Sequence, residues 1–522
     1  MLIEMKRIFI IFLFIIGLIP GNIESADAYT FEIGADLDIG AGSHEFAPFY
    51  IRANKHGKFT QAQNALLDLW ATDTLDRKKR FDFSWGVEVM GGYTNKVEYH
   101  KWNEDEKHWE SHKMGPAPIW IQQLYGEVKW RSLFLSIGLK DRDSFFVDQN
   151  LSSGDLLWSG NTKGIPEVRI GFIDWQTVPW TKKWLQVNAA LSYGKFVDNK
   201  WLENHFDYWD GKINTGALWT YKRLELRSNP DKRLYGQFGF QMSGIFGGWT
   251  YRYGDGKITS AVDNYGGIKD FFLMLLPIDF KNHEQYKVGD HKGSWDLALQ
   301  YKFDKGETLR AYTQWFWEDG SSLLKQNKWD GLWGLEFKTN RKSVVKGMVM
   351  EFLDMTHMCG PITYSPPNNN TGDAHLPYAI LGRDWYYNNY FYRSYVNYGL
   401  TIGTPMVQGI LFNTGDNPDV IYIDQIPYFR VRGVHIAVEG NITPNIEYIL
   451  KFNRRKAWGD TNTYALIRPA HSTSFMAGVN FKFPKYPGLT FNAAFGLDRG
   501  TLPSNTAGIF MGMSYRIPVR IR

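Results

Sequence analysis

Residues 81–89 read Phe-Asp-Phe-Ser-Trp-Gly-Val-Glu-Val, and residues 295–303 read Trp-Asp-Leu-Ala-Leu-Gln-Tyr-Lys-Phe. Large apolar residues alternate with polar or small ones in both stretches, and again in 475–483 and 509–516. A period of two places the two kinds of side chain on opposite faces of a strand, as suits a strand between lipid and a polar lumen. A soluble sandwich also alternates, but full aromatic rows on one face favour a membrane protein. We therefore predict an all-β fold, a transmembrane antiparallel β-barrel.

The connections between these stretches alternate in length, as in outer-membrane barrels with short periplasmic turns and long outer loops. Short turns are predicted near 131–132, 175–183, 226–232, 304–306, 339–343, 403–405, 441–444 and 484–488. Long loops are predicted at 94–117, 141–163, 197–212, 248–293, 318–330, 355–384, 413–426, 456–473 and 499–506. These connections join about eighteen strands. With an even number of strands, the start of the first strand and the end of the last strand both lie on the periplasmic side.

The composition agrees with a barrel without requiring one. The chain has 522 residues, with 21 Trp, 29 Tyr, 35 Phe and 51 Gly, and its mean hydropathy is -0.36. After residue 28 the longest apolar stretch is 271–278, well short of the ~20 residues that a membrane helix needs. A net charge of +5, spread over many charges of both signs, gives no reason to expect a nucleic-acid partner. Cys359 is the single cysteine, which excludes an internal disulfide.

The first 28 residues have the pattern of a secretory signal peptide. Met-Leu-Ile-Glu-Met-Lys-Arg is followed by an apolar run over 8–19 and by the small-x-small site Ala26-Asp27-Ala28. An uncleaved anchor is the alternative, but the apolar run is shorter than a membrane helix. We expect cleavage before Tyr29 and export to the bacterial outer membrane, where lipid surrounds the barrel.

Residues 29–79 precede the first strand of the predicted barrel, which is assigned to 80–522. Gln61–Trp70 has the spacing of a short helix with Leu66, Leu69 and Trp70 on one side, so this segment is predicted to be a partly helical plug or periplasmic cap. Thr30–Ile39 also alternates, and an additional strand there is the alternative.

Motifs of catalytic or metal sites are not evident in the sequence. His44-Glu45 and His283-Glu284 lack the second histidine of a zinc-protease helix, and Gly254-Asp255-Gly256-Lys257 lacks the spacing of a phosphate loop. The histidines of loop 94–117 are irregularly spaced among Tyr, Lys and Glu. We expect no catalytic residue, no metal and no cofactor. Two loop carboxylates could still flank a glycosidic bond in space, so a surface hydrolase remains an alternative.

Aromatic residues are concentrated in two of the predicted outer loops. Flat aromatic rings beside hydrogen-bonding side chains are suited to contact with sugars. The candidate carbohydrate-binding residues are Trp102 and Trp109 in loop 94–117, and Trp201, Tyr208 and Trp209 in loop 197–212. The alternative is that these rings form interfacial girdles or pack the loops over the barrel mouth.

Three stretches share a recognisable pattern. Residues 135–146 read Leu-Ser-Ile-Gly-Leu-Lys-Asp-Arg-Asp-Ser-Phe-Phe, 151–161 read Leu-Ser-Ser-Gly-Asp-Leu-Leu-Trp-Ser-Gly-Asn, and 165–171 read Ile-Pro-Glu-Val-Arg-Ile-Gly. These stretches resemble the Wzi family of capsule-assembly proteins. In addition, Asp-Trp-Tyr-Tyr-Asn-Asn at 384–389 and Ile-Gly-Thr-Pro at 402–405 are similar to forms from Bacteroidetes members.

The resemblance implies an eighteen-stranded outer-membrane barrel with helical N-terminal material, acting as a surface lectin that attaches capsular polysaccharide. Gly154, Ser159, Asn161 and Pro166 match the family motif, and Gly and Pro most simply serve the turn geometry of a strand re-entry. Many family members carry Trp-Trp-Gly where this chain has Ser-Phe-Phe at 144–146. No sugar-contacting residue is therefore carried over.

The expected function is binding of capsular polysaccharide or exopolysaccharide by a monomeric, non-enzymatic barrel. A diffusion channel for sugars or other small solutes is the main alternative, because barrels of 16–18 strands can leave an aqueous pore.

Overall fold

The computed structural model describes most of the chain after the predicted signal peptide. The described residues are 29–103, 105–205, 211–264, 266–275, 288–318, 327–358, 362–364, 380–382, 385–389, 391–414, 425–459 and 469–521. The predicted signal peptide, residues 1–28, and Cys359 lie outside them.

Eighteen long antiparallel strands form a closed barrel. The strands are Tyr29–Gly42, Asn64–Thr72, Phe81–Thr94, Ile119–Trp130, Leu133–Leu139, Glu167–Phe172, Leu185–Lys195, Leu218–Ser228, Leu234–Phe246, Asp290–Lys302, Thr308–Trp317, Gly331–Lys338, Gly347–Asp354, Arg430–Thr443, Ile446–Trp458, Ala470–Lys482, Leu489–Gly500 and Thr506–Ile521. Each pairs with its neighbours in sequence, and the first pairs with the last from Tyr29–Ile521 to Gly42–Gly508. The predicted transmembrane antiparallel barrel of eighteen strands is confirmed.

The last strand shows how the alternation is used. Ile509 and Met511 point outward and are 51% and 49% exposed. Phe510, between them, points into the lumen, where its ring centroid lies 4.7 Å from that of Phe59. The outward row is therefore apolar, as a lipid-facing surface must be.

The boundary predicted at residue 80 is wrong, because two barrel strands, Tyr29–Gly42 and Asn64–Thr72, lie before it. The helix predicted over 61–70 is also wrong. Leu67 and Leu69 are exposed on the outward face, and the alternate residues Leu66 and Asp68 are buried on the other. Hydrogen bonding to strands on both sides overrides the local helical spacing. The alternative, an additional strand in 30–39, is the arrangement found.

A second difference offsets the first in the strand count. The predicted turn at 403–405 implied two strands within 385–412, but no barrel strand lies in the described residues between Asp354 and Arg430. Gly403 and Pro405 are buried in the lumen. The predicted total of eighteen strands is therefore correct although two strands were missed and two were assigned where none exists.

Three segments of the chain fold into the barrel and fill its lumen. They are residues 43–63, residues 140–166 and the described part of 355–429. The first contains the short helix Phe49–Arg52, all four residues of which are buried. The expected plug is thus present, but in residues 43–63 between two wall strands, and two further segments complete it.

Smaller elements lie in the connections. The helices are Asn199–His205, Ile268–Leu273 and the 3-10 turn Ile410–Phe412. The strands are Val97–Asn103 with His108–Met114, Gly211–Thr215 with Trp249–Gly254 and Lys257–Asp263, Ile362–Tyr364 with Ile380–Gly382, Val396–Asn397 with Leu400–Thr401, and Gln176–Thr177, which extends the barrel sheet. Among the described residues, no helix has the length and apolar character needed to cross a membrane.

One connection, residues 266–275, lies against the outside of the wall. Phe271 stacks on the outward-facing ring of Tyr193 with centroids 3.6 Å apart. Lys222, also outward-facing, donates a hydrogen bond to the Met274 carbonyl and is buried. This segment therefore covers polar wall residues that would otherwise face lipid.

Candidate functional site

The stretches that carry the family resemblance meet inside the lumen. Residues 151–161 lie against residues 402–405, and Ser159 Oγ donates a hydrogen bond to the Gly403 carbonyl at 2.7 Å. Asn161 Nδ2 donates to the Thr401 carbonyl at 3.1 Å. Two motifs about 240 residues apart in sequence therefore form one structural unit at the centre of the plug.

Gly154 and Pro166 have geometrical roles. Gly154 has a φ of 121°, and a Cβ there would lie 2.6 Å from Cδ of Pro405. A residue without a side chain is required at this position. Pro166 directly precedes the strand that starts at Glu167, a position where a missing N–H is tolerated. The four matched motif residues thus serve backbone geometry and plug packing.

A buried polar network joins the plug to the wall. Gln241 Nε2 donates hydrogen bonds to Asp155 Oδ2 at 3.1 Å and to Asp296 Oδ2 at 2.7 Å. Gln314 Nε2 donates to the same two carboxylates at 3.0 and 3.3 Å. All four side chains are fully buried. Because burial makes every unmade hydrogen bond costly, this network fixes the position of Asp155 relative to three wall strands.

Contacts of this kind reach strands on all sides of the barrel. They pair Tyr50 with His435, Ser152 with Glu351, Phe49 with Asp498, Arg455 with Met406, Phe59 with Phe510 and Gln122 with His56. The hydroxyl of Tyr387 donates to the Leu156 carbonyl, and burial raises the pKa of Tyr387, so that it remains a donor. The described luminal segments therefore form a rigid, packed interior.

The outer mouth is covered by the hairpin of residues 97–114 and the helix Asn199–His205. Tyr99 is buried between them, where its hydroxyl donates to the Leu411 carbonyl at 2.9 Å and its ring meets that of His205 at 5.1 Å. His112 Nε2 lies 3.0 Å from the Asn204 carbonyl. These contacts place the two aromatic-rich loops side by side.

The sequence candidates have different outcomes. Trp102 and Trp109 are cross-strand partners in the hairpin, and their side chains, like residues Tyr208 and Trp209, lie outside the described part of the chain. Trp201 is half-buried and stacks on His205 with centroids 4.1 Å apart. At least one face of the Trp201 ring therefore packs within the loops, as the alternative to sugar contact predicted.

A pair of rings that the sequence analysis missed lies on the outer sheet. Trp249 and Tyr251 occupy one face of the strand Trp249–Gly254, with ring centroids 6.3 Å apart and planes inclined by 19°. Trp249 is 45% exposed. The signal was available, because Trp, Tyr and Tyr alternate at 249, 251 and 253, but these residues were assigned to a long loop.

The outer end of the plug is held by a buried ion pair. Arg393 donates to both carboxylate oxygens of Asp198, at 2.7 and 2.5 Å. The same carboxylate accepts the Tyr398 N–H at 2.9 Å. The pair thereby fixes residues 393–398 to the start of the helix Asn199–His205.

The tip of the hairpin carries a group with ligand atoms close together. His108 lies between Glu106 and Glu110, with its ring nitrogens 3.6 Å from a carboxylate oxygen of each. All three residues are exposed, and solvated ion pairs of this kind contribute little to stability. Exposed acidic groups commonly lie this close together without an ion, so the cluster is not by itself a metal site.

The fold is similar to solved outer-membrane barrels. Wzi of Escherichia coli, described as a carbohydrate-binding β-barrel involved in group 1 capsule assembly, matches with a TM-score of 0.56 and 10% identity over 92% of this chain and 83% of Wzi. OccAB4 of Acinetobacter baumannii matches with a TM-score of 0.43 and 11% identity over 94% and 99% of the two chains. OccK5 of Pseudomonas aeruginosa matches with 0.42 and 8% over 94% and 98%. No family model and no curated protein matches the sequence. At these identities the likeness concerns the fold alone.

Proposed function

We propose that this outer-membrane barrel is a surface lectin that holds capsular or other surface polysaccharide on the cell. The observation that carries the proposal is the filled lumen, in which three luminal segments contact wall strands on all sides. A barrel packed in this way gives its outer loops a rigid base. The loops are then the surfaces available to a polymer outside the cell.

The outer loops have the chemistry for sugar contact. Trp249 is exposed and stacks beside the partly buried Tyr251, and the hairpin of residues 97–114 carries Trp102 and Trp109. A repeating polymer can touch several such loops at once, so that weak contacts add through avidity. The proposal includes export through the predicted signal peptide, a monomeric barrel and no catalytic step.

The first test measures binding of purified full-length protein to the host's own surface glycan. Loop-wide replacement of Trp102, Trp109, Trp201, Tyr208 and Trp209 should weaken binding stepwise, and Trp249→Ala with Tyr251→Ala should weaken it further. Trp180→Ala is the matched control, because Trp180 is 97% exposed on a predicted periplasmic turn. Heat-modifiable migration checks that each variant assembles.

The second test is genetic. Deletion of the gene should leave polysaccharide synthesis intact and release more polymer to the medium, as expected when an anchor is lost. The proposal fails if the purified protein does not bind this glycan and the deletion strain keeps a normal cell-bound layer. Steady single-channel conductance would then favour the diffusion channel.

A further inference from the structure

A cavity lies inside the barrel, on the side of the plug that faces away from the outer loops. Its volume is about 650 Å³, and residues Tyr50 to Phe59 of the first luminal segment form its roof. The wall residues that line it include Thr490 and Ser514, which pair with each other next to the turn after Lys482. Both chain ends lie at this end of the barrel, so the cavity faces the periplasm.

Two lysines, Lys451 and Lys55, line this cavity. Lys451 is 8% exposed, and neither lysine has an ion pair or hydrogen bond within the described residues. The ammonium of Lys451 lies 5.7 Å from the centre of the Tyr50 ring. The Lys55 side chain is exposed to the cavity; desolvation lowers its pKa, and the nearby carboxylate of Asp143 offsets part of this effect. An isolated buried cation is costly, and an anionic group placed beside it would offset that cost.

The other charges of the lining are mostly neutralised. Lys58 bridges Asp68 and Glu88, His56 lies 3.2 Å from Asp143, and Lys482 pairs with Glu447 at 2.8 Å. The exceptions are Asp36 and Asp38 on the first strand and Glu439 on the strand next to that of Lys451, none of which has an ion pair within the described residues. The lining therefore offers both cations and acceptors.

The acceptors are free to receive hydrogen bonds. Asp36 Oδ1 and Asn54 Oδ1 are buried and have no donor within the described residues. Beside them, Phe59 and Phe510 meet edge to face, and Tyr448 supplies another ring to the lining. These groups match an acidic sugar. The acceptors can bind its hydroxyl groups, the rings can contact its C–H faces, and the lysine cation can bind its carboxylate.

We propose that this periplasm-facing cavity is a saccharide subsite, in which Lys451 and Lys55 bind the carboxylate of a uronic-acid residue and Asp36, Asp38 and Asn54 accept hydrogen bonds from its hydroxyl groups. The subsite is separated from the outer loops by the plug and goes beyond surface binding. It would hold a short stretch or an end of an acidic polysaccharide on the periplasmic side of the membrane.

Trigalacturonic acid is the probe, with maltotriose as its neutral counterpart and inorganic phosphate as the free anion. Titration calorimetry of the full-length protein in detergent should show binding of the acidic trimer, and Lys451→Met should weaken it about tenfold or more, since a charge-assisted contact is lost. Lys485→Met removes a charge from the exposed turn after Lys482, outside the cavity, and should leave the affinity unchanged.

The thermal stability of the variant distinguishes a ligand-binding role of Lys451 from a structural role. Removal of an unpaired buried cation should leave the unfolding temperature of Lys451→Met unchanged or raised, whereas a structural lysine would lower it. The subsite is overturned if the trimer does not bind, if maltotriose or phosphate binds equally well, or if Lys451→Met binds normally. Replacement of Trp249 and Tyr251 should not affect trimer binding, so failure of the outer-loop lectin and failure of the subsite give different results.

Discussion

At the scale of single residues, the wall separates lipid from a protein interior through alternate side chains. Ile509 and Met511 lie on the lipid-facing row of the last strand, and Ser514 lies on the cavity side. A substitution has opposite consequences on the two faces, because a cation is costly in hydrocarbon and can be solvated in a polar lumen.

Ile509→Lys and Met511→Lys should therefore hinder assembly more than Ser514→Lys. A cation near the bilayer midplane costs ~2–4 kcal/mol on the lipid face. The fraction of heat-modifiable protein after refolding into vesicles measures the effect. Equal yields of all three variants would contradict the assignment of faces in this strand.

Asp155→Ala should destabilise the plug, because the amides of Gln241 and Gln314 lose an acceptor in a fully buried site. The expected loss is about 1–3 kcal/mol for each buried group left unsatisfied. Denaturant unfolding measures it, with Asp231→Ala in the exposed turn after residue 228 as the control. Matched stability of the two variants would show that the network is not needed.

At the scale of elements, the connections between strands determine how the lumen is filled and which wall residues are covered. The segments 43–63 and 140–166 and the described part of 355–429 turn inward and pack, while 266–275 lies outside the wall. Their positions are fixed by a few buried polar contacts, such as the pair between Arg393 and Asp198. Such a pair contributes through specificity of docking more than through its net energy.

Arg393→Met should loosen the outer end of the plug, because it leaves the Asp198 carboxylate buried without its cation. Loss of one partner of a buried pair costs about 3–5 kcal/mol. The double variant Arg393→Met with Asp198→Asn should recover part of this loss. Proteolysis of the residues near 393 gives the measurement, and equal resistance of wild type and single variant would refute the anchoring role.

At the scale of the whole molecule, a barrel of eighteen strands is wide enough for an aqueous pore unless protein occupies it. Here the described luminal segments contact wall strands around the circumference. The plug also separates an outer surface rich in aromatic residues from a cavity that faces the periplasm.

Wild-type protein in planar bilayers should accordingly give no steady conductance, whereas deletion of 391–414 should give one, because that deletion removes the centre of the plug. Circular dichroism, which should show mostly β-structure for both proteins, checks assembly. Steady conductance of the wild type would count against a closed lumen.

The sequence by itself determined the fold class and the faces of the last strand. The predicted number of eighteen strands agreed with the structure only because two missed strands offset two that were assigned within the plug. A period-two pattern is local, because alternation between consecutive residues shows which side chains face lipid and which face the lumen. The outer loops could likewise be recognised as aromatic-rich, but Trp249 and Tyr251 were missed because an outer sheet and a long loop look alike without knowledge of pairing.

The tertiary structure decided everything that depends on distant partners. Asn64–Thr72 is a strand because two neighbouring strands bond to it, and Tyr387 and Tyr395 are luminal because they pack and hydrogen-bond against residues 151–161. An apolar row packed inside a lumen has the same sequence pattern as one facing lipid. The cavity beneath the plug also depends on distant residues, since Lys55 and Lys451 are brought together only when the barrel closes around residues 43–63.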